Sequence, residues 1–303
     1  MKSLKTIIVT GANSGLGIWT TKYLLDAGCQ VIMACRNIGK AKADVDNFAA
    51  IQNSKNIKML RLDLADVKSI KLFVDKLSEF ENIEGVVCNA GVMYTGPLRY
   101  TKDGIEETFG TNYLGHFYLI QLLLQKFSIN KFVVVSSALH DPQIKSPFAS
   151  AKLLAVQEMA YPKLCNTKYL KLQNEACYAT SKLCNILFAY QLNRNLIDNG
   201  DGLHTIVNAY NPGFMPSTNL GRKEGWKEMV YRWMLGIVGY LFRFSTTARK
   251  SGKDVARLVM QEKQTGHYFQ GHKAIASSAE SYDLLKAKTL WLQTEKLIST
   301  LTN

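Results

Sequence analysis

An α/β fold built on a parallel sheet is what this sequence predicts, and three observations predict it. Short β-branched runs alternate with helix-length segments along the chain. The first run passes through a glycine-rich turn straight into a helix, the layout of a phosphate-binding βα unit. No linker or internal repeat interrupts the 303 residues, so 1–303 reads as one domain.

Composition narrows the function classes. Hydrophobic residues make up 47% and charged residues 20%, ordinary values for a soluble globular protein. The N-terminus runs from Met1-Lys2-Ser3 into an apolar strand without the pattern of a secretory signal. Six cysteines (29, 35, 88, 165, 177 and 184) lack metal-ligand spacing, and two fall in or beside buried strands. A reducing, cytoplasmic location is therefore expected. The net charge of +13 comes from scattered lysines rather than runs, so a solvated basic surface is preferred over a phosphate-bearing or membrane partner. No motif for nucleic acid accompanies the charge, so no nucleic-acid partner is expected.

In order, residues 5–9 (KTIIV) form the first strand, and 10–17 (TGANSGLG) the turn before a helix reaching about Ala27. Gly11 would permit the tight turn, Gly15 a close backbone approach to a pyrophosphate, and Gly17 close packing of helix on sheet. Residues 30–34 (QVIMA) make a second strand that ends in Cys35-Arg36-Asn37. An acidic residue there would favour NAD; a guanidinium suits a 2′-phosphate, so Arg36 argues for NADP(H). A helix over 38–50 and a strand over 57–62 lead to Asp63-Leu64. Asp63 reads equally as an acceptor for an adenine amine and as a helix cap, since Asp66 follows before the next helix.

Residues 85–88 form a strand ending at Asn89-Ala90-Gly91, a small corner that lets a planar ring approach the backbone. The following helix carries Asn112, a polar residue among apolar neighbours that must find buried partners. His116 on the same helix reads as a packing histidine rather than a base. Residues 131–135 (KFVVV) form the most strongly β-patterned run and end in Ser136-Ser137. The insert at about 138–173 holds Pro142, Pro147 and Pro162 and is expected to be an irregular substrate wall or partner surface.

A helix over 175–196 then places Tyr178 and Lys182 four residues apart on one face. An ammonium beside a phenol favours the phenolate and lowers its pKa toward the working range. A strand over 205–210 ends in Asn211-Pro212-Gly213. Within a lid at about 214–250, residues 226–244 carry an apolar stripe with Lys227, Arg232 and Arg243, too short and too charged to span a bilayer. A cover over a greasy substrate, attachment to a membrane surface, and core packing are the three readings of that stripe. A helix over 251–261, a strand over 266–269 and a helix from about 279 to 298 close the chain.

The ordered set of 10–17, Asp63, Asn89-Ala90-Gly91, Asn112, Ser137, Tyr178 with Lys182, and Pro212-Gly213 resembles the short-chain dehydrogenase/reductase family over essentially the whole chain. The resemblance implies a single-domain Rossmann-type, doubly wound parallel sheet of about seven strands with helices on both faces. Within that family VIMACR (31–36), VCNA (87–90) and GTNYLGHF (110–117) resemble light-dependent protochlorophyllide oxidoreductases and the related retinol-dehydrogenase-like reductases. The tail (Ala287-Lys288, and Trp291 to Glu295-Lys296-Leu297) and NPGFMPST (211–218) resemble the pigment-reducing branch. Phe214 stands where that branch has a cysteine, and 138–173 lacks its Asn- and Gly-rich sequence.

By this resemblance NADP(H) would be held by Gly11, Asn13, Ser14, Gly15, Leu16 and Gly17, with Arg36, Asp63, Leu64, Asn89, Ala90, Gly91, Pro212 and Gly213. Tyr178 would exchange the oxygen-bound proton, Lys182 would lower its pKa and contact the nicotinamide ribose, Ser137 would hold the reacting oxygen, and Asn112 would support a water relay. The expected reaction is hydride transfer to or from a carbonyl or alcohol of a bulky lipophilic substrate. Light-driven C=C reduction, and an NADP-binding scaffold without turnover, are the alternatives. A peripheral membrane contact is compatible with the pattern, and no oligomeric state follows from it.

Overall fold

In the computed structural model, eight strands form one sheet in the order β3-β2-β1-β4-β5-β6-β7-β8. The structure describes residues 4–80, 82–94, 97–144, 148–163, 170–200, 205–215 and 246–302, with the side chains of 170–172 excepted. The apolar stripe at 226–244 and most of the expected lid lie outside them.

The strands are β1 (Thr6–Thr10), β2 (Gln30–Cys35), β3 (Ile57–Arg61), β4 (Ile83–Cys88), β5 (Lys131–Val135), β6 (Ile206–Asn211), β7 (Tyr268–Gln270) and β8 (Lys273–Ile275). The first seven run parallel, with Ile7 opposite Val31 on one side and Gly85 on the other. The eighth strand, beyond the seven expected, is an exposed antiparallel return from β7 that pairs along the sheet's edge. Its three residues carry no long apolar run, so the strand pattern did not reveal it.

Alternate residues of the buried strands feed two cores. Ile8, Ile32 and Val86 point to one, Ile7, Val9, Val31 and Met33 to the other. Against the second core lie α1 (Gly15–Asp26), α2 (Ile38–Asp46) and α8 (Ala248–Gln261). Against the first lie α3 (Val67–Asp75), α5 (Gly115–Lys126), α7 (Leu170–Asp198) and α9 (Leu284–Thr302). The expected doubly wound sheet with helices on both faces is thus present.

Several boundaries differ for local reasons. The second helix stops at Asp46, short of Ala50, and turns follow it. A three-residue helix, α4 (Glu107–Phe109), and a π-helical turn (Gly110–Leu114) precede α5. Glu106 caps α4, its carboxylate accepting from Thr108 N and Phe109 N. The last helix starts at Leu284, after a 3₁₀ turn at Ala279–Tyr282.

The insert is less irregular than expected. It contains a 3₁₀ turn (Ala138–His140) and α6 (Val156–Ala160), and residues 170–173 already belong to α7. It is pinned to its neighbours: Ala149 N donates to Glu175, Lys152 N to Thr180 Oγ1, and Val156 N to Gln293 on α9.

Candidate active site

The sheet order reverses direction between β1 and β4, and in open α/β sheets ligands bind beyond the strand ends at such a point. Both strand ends meet there through Thr10. Its hydroxyl accepts from the amides of Asn89 and Ala90, both at 2.9 Å. Asn89 returns the contact, its Nδ2 donating to the Thr10 carbonyl at 2.7 Å and to Gly11 at 3.3 Å. Asn89 thus braces the two strand ends. Thr10, the residue it braces against, had no role assigned from sequence; a threonine closing an apolar strand before glycine was the one available cue.

The turn is shaped by its glycines. Gly11 and Gly15 have φ of 61° and 52°, conformations that residues with a Cβ rarely adopt. A Cβ on Gly17 would overlap the Gly11 carbonyl and come within 2.8 Å of Asn89 Nδ2. Gly17 therefore admits the turn as much as the sheet. Ser14 is the N-cap of α1 but makes no side-chain cap bond, which leaves the first helix amides turned toward the loop. Asn13 donates to Asp44 on α2 at 2.7 Å, and Leu16 is buried. These features fit a bound pyrophosphate.

At the end of β2, Arg36 is 65% exposed and lies 3.8 Å from Glu107, which accepts a hydrogen bond from Tyr94 at 2.7 Å. An exposed ion pair of this kind is weak, so exchanging it for a bidentate phosphate contact is inexpensive. Of the two acids before α3, Asp66 is the cap, accepting from Lys68 N and Ser69 N, while Asp63 accepts from Ala65 N in an Asx turn. Leu64 packs under Gly115, where a Cβ would overlap its carbonyl.

Four residues expected to act together do lie together. Tyr178 and Lys182 sit on α7, 5% and 4% exposed, with the lysine Nζ 5.6 Å from the tyrosine ring centroid. Ser137, just beyond β5, hydrogen-bonds the Tyr178 hydroxyl. Asn112, in the π-helical turn, accepts from Val92 N at 2.7 Å and donates to Val92 O and Ser181 Oγ, each at 3.0 Å. Gly91 faces this group, since a Cβ there would lie 3.5 Å from Lys182 Nζ. Gly213, with φ of 74°, donates to Asn211 Oδ1, and the Pro212 carbonyl accepts from Ser251. Phe214 is exposed.

The electrostatics differ from the simple expectation. Burial pushes the Tyr178 hydroxyl up to about 12, with the Ser137 hydrogen bond opposing it. Burial also pulls Lys182 down to about 8. The i, i+4 spacing shares a face, but Nζ turns to donate to the Val135 carbonyl at 3.2 Å and lies over the ring. Desolvation, not lysine charge, therefore governs the tyrosine here. The phenol is protonated at neutral pH and poised to donate.

His116 is the packing residue it was expected to be. Its Nδ1 lies 3.0 Å from the Asn112 carbonyl and its Nε2 2.9 Å from Thr10 Oγ1, and burial lowers its pKa to about 4. Among the described residues no group of three or more acidic, histidine or cysteine side chains is placed to hold a metal.

The chain is also similar to known proteins over nearly its whole length. Residues 5–157 match the family model described as short chain dehydrogenase. Retinol dehydrogenase 13 of Mus musculus is 33% identical over 300 residues, covering 97% of this chain and 84% of that protein. Polyprenol dehydrogenase of Homo sapiens is 31% identical over 296 residues, covering 95% and 83%. A crystal structure of an uncharacterised protein from Mycobacterium paratuberculosis aligns with a TM-score of 0.73 at 26% identity, covering 97% of this chain and 93% of that one.

Proposed function

This chain belongs to the short chain dehydrogenase family, and on that premise we propose that it is an NADP(H)-dependent oxidoreductase acting on a carbonyl or alcohol of a bulky lipophilic molecule. The observation that carries the chemistry is the buried Tyr178 hydroxyl, hydrogen-bonded to Ser137 and neighboured by Lys182. The similarity to a retinol and a polyprenol dehydrogenase supports the lipophilic substrate class.

The glycine turn at 11–17, Arg36, Asn89-Ala90-Gly91 and Pro212-Gly213 would hold the cofactor, with Lys182 at its ribose. When bound, nicotinamide supplies or accepts the hydride. Ser137 orients the substrate oxygen. In the reductive direction Tyr178, protonated at neutral pH, gives its proton to the alkoxide that develops on that oxygen. Lys182, still largely charged near pH 7, stabilises the negative charge left behind. Asn112, whose side chain is committed to Val92 and Ser181, holds the π-helical turn that faces Lys182; a water relay along this side is part of the proposal.

A panel of lipophilic aldehydes and ketones, followed as nicotinamide absorbance loss, tests the reading. Turnover with NADPH at least about tenfold above NADH is expected, that factor being ~1.4 kcal/mol of discrimination. Arg36→Ala should close the gap. Equal use of both cofactors by the wild type would undo the argument from Arg36. Tyr178→Phe should lose turnover at least about a hundredfold while NADPH binding persists.

A further inference from the structure

His140 lies three residues beyond Ser137, and the mechanism above makes no use of it. The ring is 2% exposed, in the 3₁₀ turn that follows β5. Its Nε2 is 2.9 Å from the amide nitrogen of Ser278, and its Nδ1 is 2.7 Å from the carbonyl oxygen of Ser137. An amide only donates and a carbonyl only accepts. The two contacts therefore assign the tautomer: Nε2 accepts from Ser278, and the single imidazole proton sits on Nδ1 and is donated to Ser137. The Tyr268 ring on β7 meets the imidazole edge-on at 5.0 Å between centroids.

The ring thus joins two segments 138 residues apart in sequence, and one of them carries the serine that hydrogen-bonds Tyr178. Ser137 has its own short-range restraint, Leu139 N donating to its Oγ at 3.3 Å. That bond orients the hydroxyl relative to the turn; it does not hold the turn against the rest of the protein. His140 does, because Ser278 is anchored in turn by the 3₁₀ segment where Ser281 N and Ser281 Oγ both donate to its carbonyl.

We propose that His140 is a positioning residue for the reaction: its two ring hydrogen bonds clamp the Ser137 turn to the Ser278 segment and so keep the Ser137 hydroxyl directed at Tyr178. The proposal rests on the oxidoreductase reading of the site. It also entails a pH response. The groups that face the imidazole are Asp141 beside it, the Ser137 and Ser278 main chain, and the Tyr268 hydroxyl on β7 at 3.5 Å. Burial lowers the histidine's pKa, so the ring is neutral near pH 7. Protonation in acid would put a hydrogen on Nε2, facing the Ser278 N–H, and the clamp would open.

Three substitutions separate positioning from simple core filling. Asn places an amide donor where Nδ1 is and can retain the bond to Ser137 alone. Gln reaches Ser278 instead, and Ala makes neither contact. With NADPH and all-trans-retinal or decanal as probes, His140→Ala should lower kcat at least about tenfold with NADPH affinity unchanged. His140→Gln, which keeps the tie between the turn and Ser278, should recover most of kcat, and His140→Asn should not. The acid limb of kcat in the wild type should be absent in His140→Gln.

An unchanged kcat in His140→Ala, equal recovery by Asn and Gln, or an acid limb that survives in His140→Gln would overturn the proposal. Hydrogen–deuterium exchange of 136–141 and 276–279, which needs no substrate, is the companion readout. Both segments should exchange faster in His140→Ala, and unchanged exchange in both would sink the clamp whatever the turnover. A wild type that binds NADPH but reduces no carbonyl would fail the oxidoreductase reading instead, with the exchange result standing separately.

Discussion

Lys182 shows how much a single residue can cost the fold that carries it. Its ammonium is buried, and burial lowers its pKa from 10.5 to about 8. The unfolded chain therefore binds more protons than the folded one between pH 8 and 10.5, and apo stability rises with pH across that window. At pH 7 the whole penalty is present, at most ~3 kcal/mol on the usual conversion of pKa shift to free energy. The Val135 carbonyl that accepts from it is also served by Asn185 Nδ2 at 3.0 Å, so removing the lysine does not strand that carbonyl. Lys182→Met should accordingly raise the stability of the cofactor-free protein by ~1–2 kcal/mol at pH 7 while turnover falls. Urea unfolding checks it, and a lower midpoint for the variant would contradict the burial argument.

Among the elements, the join between β1 and α1 depends most on one side chain being absent. A Cβ on Gly17 would collide with the Gly11 carbonyl and crowd the Ala12 Cα and Asn89 Nδ2, each at 2.8 Å. Two of these are backbone atoms of the phosphate turn and cannot swing aside. Gly17→Ala should therefore destabilise by roughly 3 kcal/mol or more and weaken NADPH binding with it. Gly39 in α2 provides the control, because a Cβ there meets only Asn37 Oδ1 at 3.5 Å. Gly39→Ala should be neutral or stabilising by up to ~1 kcal/mol, as alanine favours a helix. Comparable losses from the two changes, read by thermal melts and cofactor titration, would rule out steric closure as the cause.

At the scale of the whole molecule, the buried imidazole of His116 links the fold to pH. Burial holds its pKa near 4, below an unfolded value near 6.5. Between these limits the unfolded state binds the extra proton, so the stability contributed by the neutral ring is complete above pH 6.5 and lost as pH falls toward 4. The loss amounts to as much as ~3 kcal/mol. His116→Gln should be less stable at pH 7 but should lose less between pH 6.5 and 4, by ~2–3 kcal/mol. Equal acid slopes in denaturant unfolding would refute the assignment. No helix among the described residues is long and apolar enough to cross a membrane.

Local pattern along the chain was enough for the parts of the fold that local pattern encodes. Alternating buried runs specified a parallel sheet with helices on both faces, and Gly11 and Gly15 specified a tight turn between strand and helix, because φ near +60° excludes most other residues. The spacing of Tyr178 and Lys182, and the resemblance that adds Ser137, pointed to the proton chemistry proposed for them. Tertiary structure decided what local pattern does not encode. It chose Asp66 over Asp63 as the cap of α3, since capping depends on where the helix begins. It added β8, whose three residues pair only because β7 is there to receive them. It made burial rather than the i+4 lysine the dominant influence on Tyr178, and it brought His140 between Ser137 and Ser278. Desolvation and contacts across 138 residues are properties of a packed interior, and only folding brings that interior into being.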